Sequence, residues 1–189
     1  MTRSPLRALW DEPRAEPPPG TPWWDRALVA GLVPLTVLEA ALRADVVWPL
    51  WHGAWALVCV GALLWRSHRP LAMVVVSYGA QSAAGVVPAL AGEPHSVLDV
   101  TAVVLLVAYS LGRWASGRGV LAGSGFLLAL HLLREPLYDA SGASMVLGVG
   151  ALMLPVALGA VLRLWSAVQV RAREEVRLRE REQLARDLH

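Results

Sequence analysis

The stretch Ser144–Trp165, SMVLGVGALMLPVALGAVLRLW, carries one formal charge, Arg163. The stretch that follows it without a break, Ser166–His189, SAVQVRAREEVRLREREQLARDLH, carries eleven between Arg171 and Asp187. The first is long and apolar enough to cross a bilayer core, which takes about 20 such residues. The second contains no Gly or Pro and is built from strong helix formers. Glu175 with Arg179 and Glu182 with Arg186 are i,i+4 pairs in the favourable acid-first order. At 1.5 Å per residue this helix extends about 35 Å past the apolar stretch, as a continuation of it. Its apolar seam, Leu164, Val168, Leu178, Ala185 and Leu188, is thin and interrupted by Arg171, Glu175 and Arg181 or Glu182. That pattern suits a signalling coiled coil better than a stable zipper, and a solvated, salt-bridged tail fits it equally well.

The rest of the chain has the same apolar character. Of 189 residues 56% are hydrophobic and 17% charged, all basic residues are Arg, and nine of the thirteen aromatic residues are Trp. Eight formal charges lie in Met1–Arg26 and thirteen in the 144 residues between that segment and Arg171. A soluble domain carries roughly a quarter charged residues, so the sparsely charged middle excludes a soluble globular enzyme in the first 170 residues. The lone Cys59 excludes a disulfide framework and a thiolate metal site, and no cleavable secretory signal is expected. The pI near 9.2 follows from Arg placed around membrane segments, so no nucleic-acid partner is expected.

Six apolar runs are long enough to be read as spans: Trp24–Leu42, Val46–Trp65, Leu71–Leu90, Val97–Trp114, Val120–Leu133 and Ser144–Trp165. The fifth is the shortest, and a five-span alternative stays open. This predicts an all-α fold, a polytopic membrane helical bundle that runs on into a cytoplasmic signalling helix. Three regions follow: a disordered Pro-rich tail over 1–22, a transmembrane sensing domain over 23–165, and a linker helix over 166–189.

Arg asymmetry sets the orientation. With the N-terminus inside, Arg3, Arg7, Arg14, Arg26, Arg66, Arg69, Arg113, Arg118 and the terminal run are cytoplasmic, and Arg43 and Arg134 alone are outside. Trp23, Trp24, Trp65, Trp114 and Trp165 then fall at the inner boundary, and Trp48 and Trp51 near the outer one, as an interfacial belt requires. Both termini are therefore expected in the cytoplasm of a multi-pass plasma-membrane protein. The short outer loops leave no room for a folded extracytoplasmic domain.

Few residues in the spans can carry chemistry. Glu39, His52, Asp99 and His131, with Asp45 and His95, map to the outer third of the membrane or its loops. Ionisable groups within spans are costly and often functional, so Glu39, His52, Asp99 and His131 form a candidate sensing cluster. The plainer reading, which is preferred, places each near the interface within reach of water. His68 reads as part of the cytoplasmic charge anchor, Arg163 as a snorkelling side chain, and Cys59 as a lipid-facing or packing group. The spacing Ala115-x-x-x-Gly119-x-x-x-Gly123 is a candidate close-packing motif.

The final residues REQLARDLH, preceded by Glu180, resemble the phosphoacceptor box of sensor histidine kinases with the type-3 dimerisation and phosphoacceptor region, E-R-x-R-[IL]-A-R-[ED]-L-H-D. Glu180, Arg181, Leu184, Ala185, Arg186, Asp187, Leu188 and His189 match, while Gln183 departs from the usual Arg. The runs WWDRALVAG, RSHRPLAMVVV and LDVTAVVLLVAYSLGRW also resemble the membrane region of actinobacterial kinases of this type. The resemblance implies that His189 is the catalytic phosphoacceptor, that the chain acts as a homodimer in the lipid bilayer, and that phosphate passes to a response regulator. It also implies a following ATP-binding domain that uses ATP and Mg²⁺. Residues 166–189 hold no Gly-rich phosphate loop, so no cofactor and no metal are expected on this chain, and alone it is expected to be inactive. Two other classes compete: a small transport or channel protein with a regulatory tail, and a non-enzymatic membrane partner that docks through its terminal helix.

Overall fold

The computed structural model of the chain describes residues 12–15, 17, 20–94, 96–134, 137 and 141–187, and at 176, 178 and 180–187 the backbone alone. Among the described residues there are helices and no strand. Six α-helices follow one another among them: α1 Trp23–Leu42, α2 Pro49–Ala62, α3 Pro70–Leu90, α4 Val104–Trp114, α5 Gly117–Arg134 and α6 Gly142–Asp187. Two 3₁₀ segments, Leu63–Trp65 and Asp99–Val103, extend the end of α2 and the start of α4. Each expected apolar run overlaps one of these helices.

Local chemistry accounts for several boundaries. Pro49 and Pro70 open α2 and α3 at positions where the missing N–H has no intrahelical partner to lose. The second run begins later than the expected Val46, because residues 46–48 form an irregular loop in which Trp48 takes the left-handed backbone conformation (φ 52°) just before Pro49. The fifth run is longer than expected: Gly117–Arg134 has 18 residues, against the fourteen of Val120–Leu133. Helix α6 is unbroken over 46 residues, about 69 Å at 1.5 Å per residue, so the apolar stretch and the charged stretch are one rod, as the sequence predicts. Glu175 and Arg179 pair on it at 3.7 Å.

Among the described residues two helices are long and apolar enough to cross a membrane: α3, and α6 over Gly142–Glu175. Pro49–Trp65 is apolar but shorter. Helix α1 is interrupted by Asp25, Arg26 and Glu39, the eleven residues of α4 reach about 17 Å, and α5 mixes four glycines with Arg118, His131 and Arg134. The number of helices agrees with the six expected spans, whereas two of them meet the length and polarity of a crossing by themselves.

The bundle is assembled on α3, which packs against α2, α4 and α5, while α6 lies along α4 and touches α5. The main core gathers Leu63, Met73, Val74, Val107, Leu111, Leu127 and Val156; a smaller one gathers Val46, Ala56, Val60, Leu98 and Val100. Outward-facing side chains are also apolar, among them Leu38, Leu50, Leu133, Val146, Leu147 and Leu154, each more than half exposed.

The closest helix approach is between α4 and α6. A Cβ on Gly112 would lie 2.0 Å from Val156 O, and one on Gly159 would lie 2.2 Å from Tyr109 O. The expected motif behaves differently. Gly119 faces Ala115 of its own turn, and a Cβ on Gly123 would meet the Leu111 side chain at 2.7 Å, so Gly123 serves packing on α4 while Gly119 joins no second helix.

Asp25, in the first turn of α1, is buried and forms an ion pair with Arg66 just past the 3₁₀ segment that ends α2. Removing one partner of a buried pair strands the other charge, at about 3 kcal/mol or more. Asp25→Ala should therefore lower the stability of the detergent-solubilised protein by about that much in an SDS-unfolding titration followed by circular dichroism. Asp25→Ala combined with Arg66→Leu should recover part of the loss; a double variant as unstable as the single one would remove the pair from the account.

Candidate functional site

At the end of the bundle read from the sequence as outer, Arg43 is the centre of a charged cluster. It caps the C-terminus of α1 and holds three carboxylates: Asp45, with Arg43 Nε donating to Oδ1 at 3.0 Å, Glu39 at 3.3 Å and Asp99 at 3.2 Å. Glu39 has a second task. Its carboxylate accepts the backbone N–H of Asp99, and that of Val100 at 3.0 Å. These are orphan donors at the start of the 3₁₀ segment leading into α4, so Glu39 caps that helix from another part of the chain. The hydrogen bond from Arg43 keeps the exposed Asp45 carboxyl below its ordinary range, and the same bond, followed by that from Glu39, raises Arg43 further. The arrangement ties the loop after α1 to the loop before α4.

The structure divides the expected sensing cluster of Glu39, His52, Asp99 and His131. Glu39 and Asp99 do meet, through Arg43 and through the Asp99 N–H. His52, buried on α2, lies next to this group, with Nε2 3.4 Å from Ser96 Oγ, which in turn accepts the Val47 N–H at 3.3 Å. His131 is elsewhere. It is buried on α5 and faces α6, with Nε2 3.2 Å from Met145 O and its ring in the space that Gly148 leaves free. A Cβ on Gly148 would lie 2.3 Å from His131 Cε1. The two histidines sit on helices that flank α3 and line two neighbouring cavities rather than one site. No group of three or more His, Cys, Asp or Glu among the described residues is placed to hold a metal ion. His95 lies outside the described residues. Cys59 is buried, its thiol donating to Ser77 O at 3.2 Å, so it is a packing group rather than a lipid-facing one.

The opposite end holds a contact that the sequence reading did not anticipate. Arg163 is buried instead of snorkelling: Nη1 donates to Ala115 O at the C-terminus of α4, and Nη2 lies 2.8 Å from Glu12 Oε2. The cation thus lies where the α4 macrodipole is negative. Glu12 O in turn accepts the Gly117 N–H at 3.1 Å. Nearby, Arg14 donates to Ser67 O at 2.5 Å, and His68 Nε2 is 3.0 Å from Gly20 O. Glu12–Ala15, in the segment expected to be disordered, form one wall of a cavity of about 640 Å³ whose other walls are the end of α4, at Arg113 and Trp114, and the root of the charged half of α6. A signal existed for Arg163: it is the single charge in Ser144–Trp165, and a lone charge in an apolar helix usually has a partner.

The catalytic residue expected from the sequence, His189, lies outside the described residues, as does Leu188. The helix leading toward it is described as far as Asp187. No protein-family model, curated protein or solved structure matches the chain.

Proposed function

We propose that this chain is the membrane-sensing and signal-transmitting part of a two-component sensor histidine kinase, with His189 as the phosphoacceptor. The observation that carries the reading is the continuity of α6: one helix runs from Gly142, through the most apolar segment of the chain, to Asp187 within the REQLARDLH box. A displacement of its upper half has a continuous helical path to the box, through Pro155 and with no loop to absorb it. In this reading all six helices cross the bilayer, α1, α2, α4 and α5 being held there by packing against α3 and α6. Both termini are cytoplasmic, and Arg43 and Arg134 lie outside. Phosphate passes from ATP, held with Mg²⁺ by a following domain, to His189 and then to an Asp of a response regulator.

Dimerisation is part of the proposal. Leu164 and Val168, the first two seam positions, are 49% and 61% exposed on the single chain, and a second copy leaving the same face of the same membrane is a natural cover for them. The experiment uses single cysteines in inside-out and right-side-out vesicles. Cysteines after Glu93 and after Asp139 should react with an impermeant reagent from outside, and those along Val168–Leu188 should crosslink in a pattern that repeats about every seven residues. A protected loop would overturn the topology, and a flat crosslinking profile would overturn the parallel dimer.

A further inference from the structure

Three connections that the sequence reading places on the cytoplasmic side border one open cavity of about 290 Å³. Arg14 comes from the N-terminal segment, His68 and Arg69 from the connection between α2 and α3, and Ser116 from the turn between α4 and α5. Arg69 is exposed, and its guanidinium makes no ion pair or hydrogen bond with any described residue. Arg14 donates Nη2 to Ser67 O at 2.5 Å, which holds it in the wall and leaves Nε and Nη1 for a second acceptor. No carboxylate is among the described residues that line the cavity. The acids of the adjoining segments are committed elsewhere, Asp25 to Arg66 and Glu12 to Arg163. An apolar track leads away from the cations. Leu71, in the cavity wall, is 39% exposed, and Val75, one turn along α3, is 44% exposed. Residues at i and i+4 share a helix face, and α3 is apolar enough to cross a bilayer.

We propose that this cavity binds the headgroup of an anionic phospholipid, with the phosphate at Arg14 and Arg69 and an acyl chain along Leu71 and Val75. Hydrogen bonds from a guanidinium to a phosphate are charge-assisted and about twice as strong as neutral ones. Two cations around one phosphate favour a lipid of net negative charge over a zwitterionic one, whose own ammonium they repel. At about 30 Å³ for each water-sized group, the volume accommodates roughly ten of them, which matches a phosphate and the glycerol carbons beside it. The apolar track selects the source of the phosphate. Covering Leu71 and Val75 rewards an acyl chain, whereas a soluble anion gains nothing from them. Anionic lipids give the cytoplasmic leaflet its negative surface potential, and that is the side to which the sequence reading assigns all three connections. The inference rests on the bilayer reading above and adds a lipid partner to it.

Native mass spectrometry of the full chain in neutral detergent tests the site, with phosphatidylglycerol, phosphatidylcholine and inorganic phosphate as probes. One phosphatidylglycerol should bind per chain, phosphatidylcholine should bind about tenfold more weakly, and inorganic phosphate should give no adduct at the same concentration. Arg69→Gln and Arg14→Gln should each weaken phosphatidylglycerol about fivefold, the worth of one cation near an anionic surface. Arg26→Gln removes an exposed cation from the first turn of α1, outside the cavity, and should leave the adduct unchanged. Where Arg14→Gln loses the wild-type helical circular dichroism, Arg69→Gln decides, because Arg69 has no partner in the fold to lose. An adduct that ignores Arg69→Gln, one weakened as much by Arg26→Gln, or phosphatidylcholine as tight as phosphatidylglycerol would overturn the site. Inorganic phosphate as tight as the lipid would overturn the lipid partner and assign the cavity to a soluble anion. Weakening by Arg69→Gln in a protein whose loops fail the labelling test would remove the topology and leave the headgroup site standing.

Discussion

His189→Gln should abolish phosphoryl transfer. In a chain that reads on past His189 into an ATP-binding domain, labelling with γ-phosphate-labelled ATP should be acid-labile and base-stable, and the substitution should reduce it to background. The chemistry has few parts. A neutral imidazole nitrogen attacks the γ-phosphorus in line, the bond to the β-phosphate bridging oxygen breaks, ADP leaves, and a phosphoramidate remains. Imidazole is largely neutral near pH 7 and keeps a lone pair available, whereas the amide of Gln has none of comparable basicity. His68→Gln is the informative control, because His68 is engaged by Gly20 O; its labelling should match wild type. Residues 1–189 alone, which contain no phosphate loop, should show no ATP turnover. Labelling that survived His189→Gln would end the phosphoacceptor assignment and, with it, the main support for the kinase reading.

The sequence disclosed helices more readily than faces. Composition alone separates six apolar runs from their Arg-rich connections, and each run overlaps a helix, because apolar length and charge placement are properties of the chain and need no knowledge of packing. Rotation of a helix about its axis is a different matter. Glu39, His52, Asp99 and His131 share a depth in the sequence reading, yet α3 stands between the two histidines, so equal depth did not make them neighbours. The acids could be read as an outer group, but the capping of Asp99 and Val100 by Glu39 depends on a contact across sixty residues that no local pattern encodes. Arg163 misled for a related reason. A cation near a membrane boundary snorkels by default, and its partner Glu12 lay in a Pro-rich segment whose composition predicts no fixed structure. Extended, Pro-restrained backbone with few internal hydrogen bonds is equally suited to lie against a helical surface, and there Glu12 meets Arg163 and Arg14 meets Ser67 O.

The same limit governs the small residues, and leads to the second large effect. Ala108-x-x-x-Gly112 has the spacing of the motif read at Ala115, Gly119 and Gly123, but spacing does not reveal which helix lies opposite. In the folded chain Gly112 and Gly159 face each other's helices so closely that the obstacles are backbone atoms: Val156 O and Ala160 N around Gly112, Tyr109 O and Arg113 N around Gly159. A flexible side chain can swing aside, whereas a helix backbone must translate as a unit. Overpacking a core typically costs about 1–3 kcal/mol, and a clash with rigid backbone belongs at the upper end or beyond. Gly112→Leu and Gly159→Leu should each lower stability by about 3 kcal/mol in SDS unfolding. Gly150→Leu on the same α6, where a new Cβ meets nothing within 4 Å, should leave the midpoint near wild type. Gly112→Leu and Gly159→Leu together should cost clearly less than the sum of the two, because the first substitution already separates the helices that the second would push apart. Additive losses would mean two independent contacts instead of one shared fulcrum. Should all three single variants unfold alike, the α4–α6 approach would not be what holds the root of the long helix against the bundle.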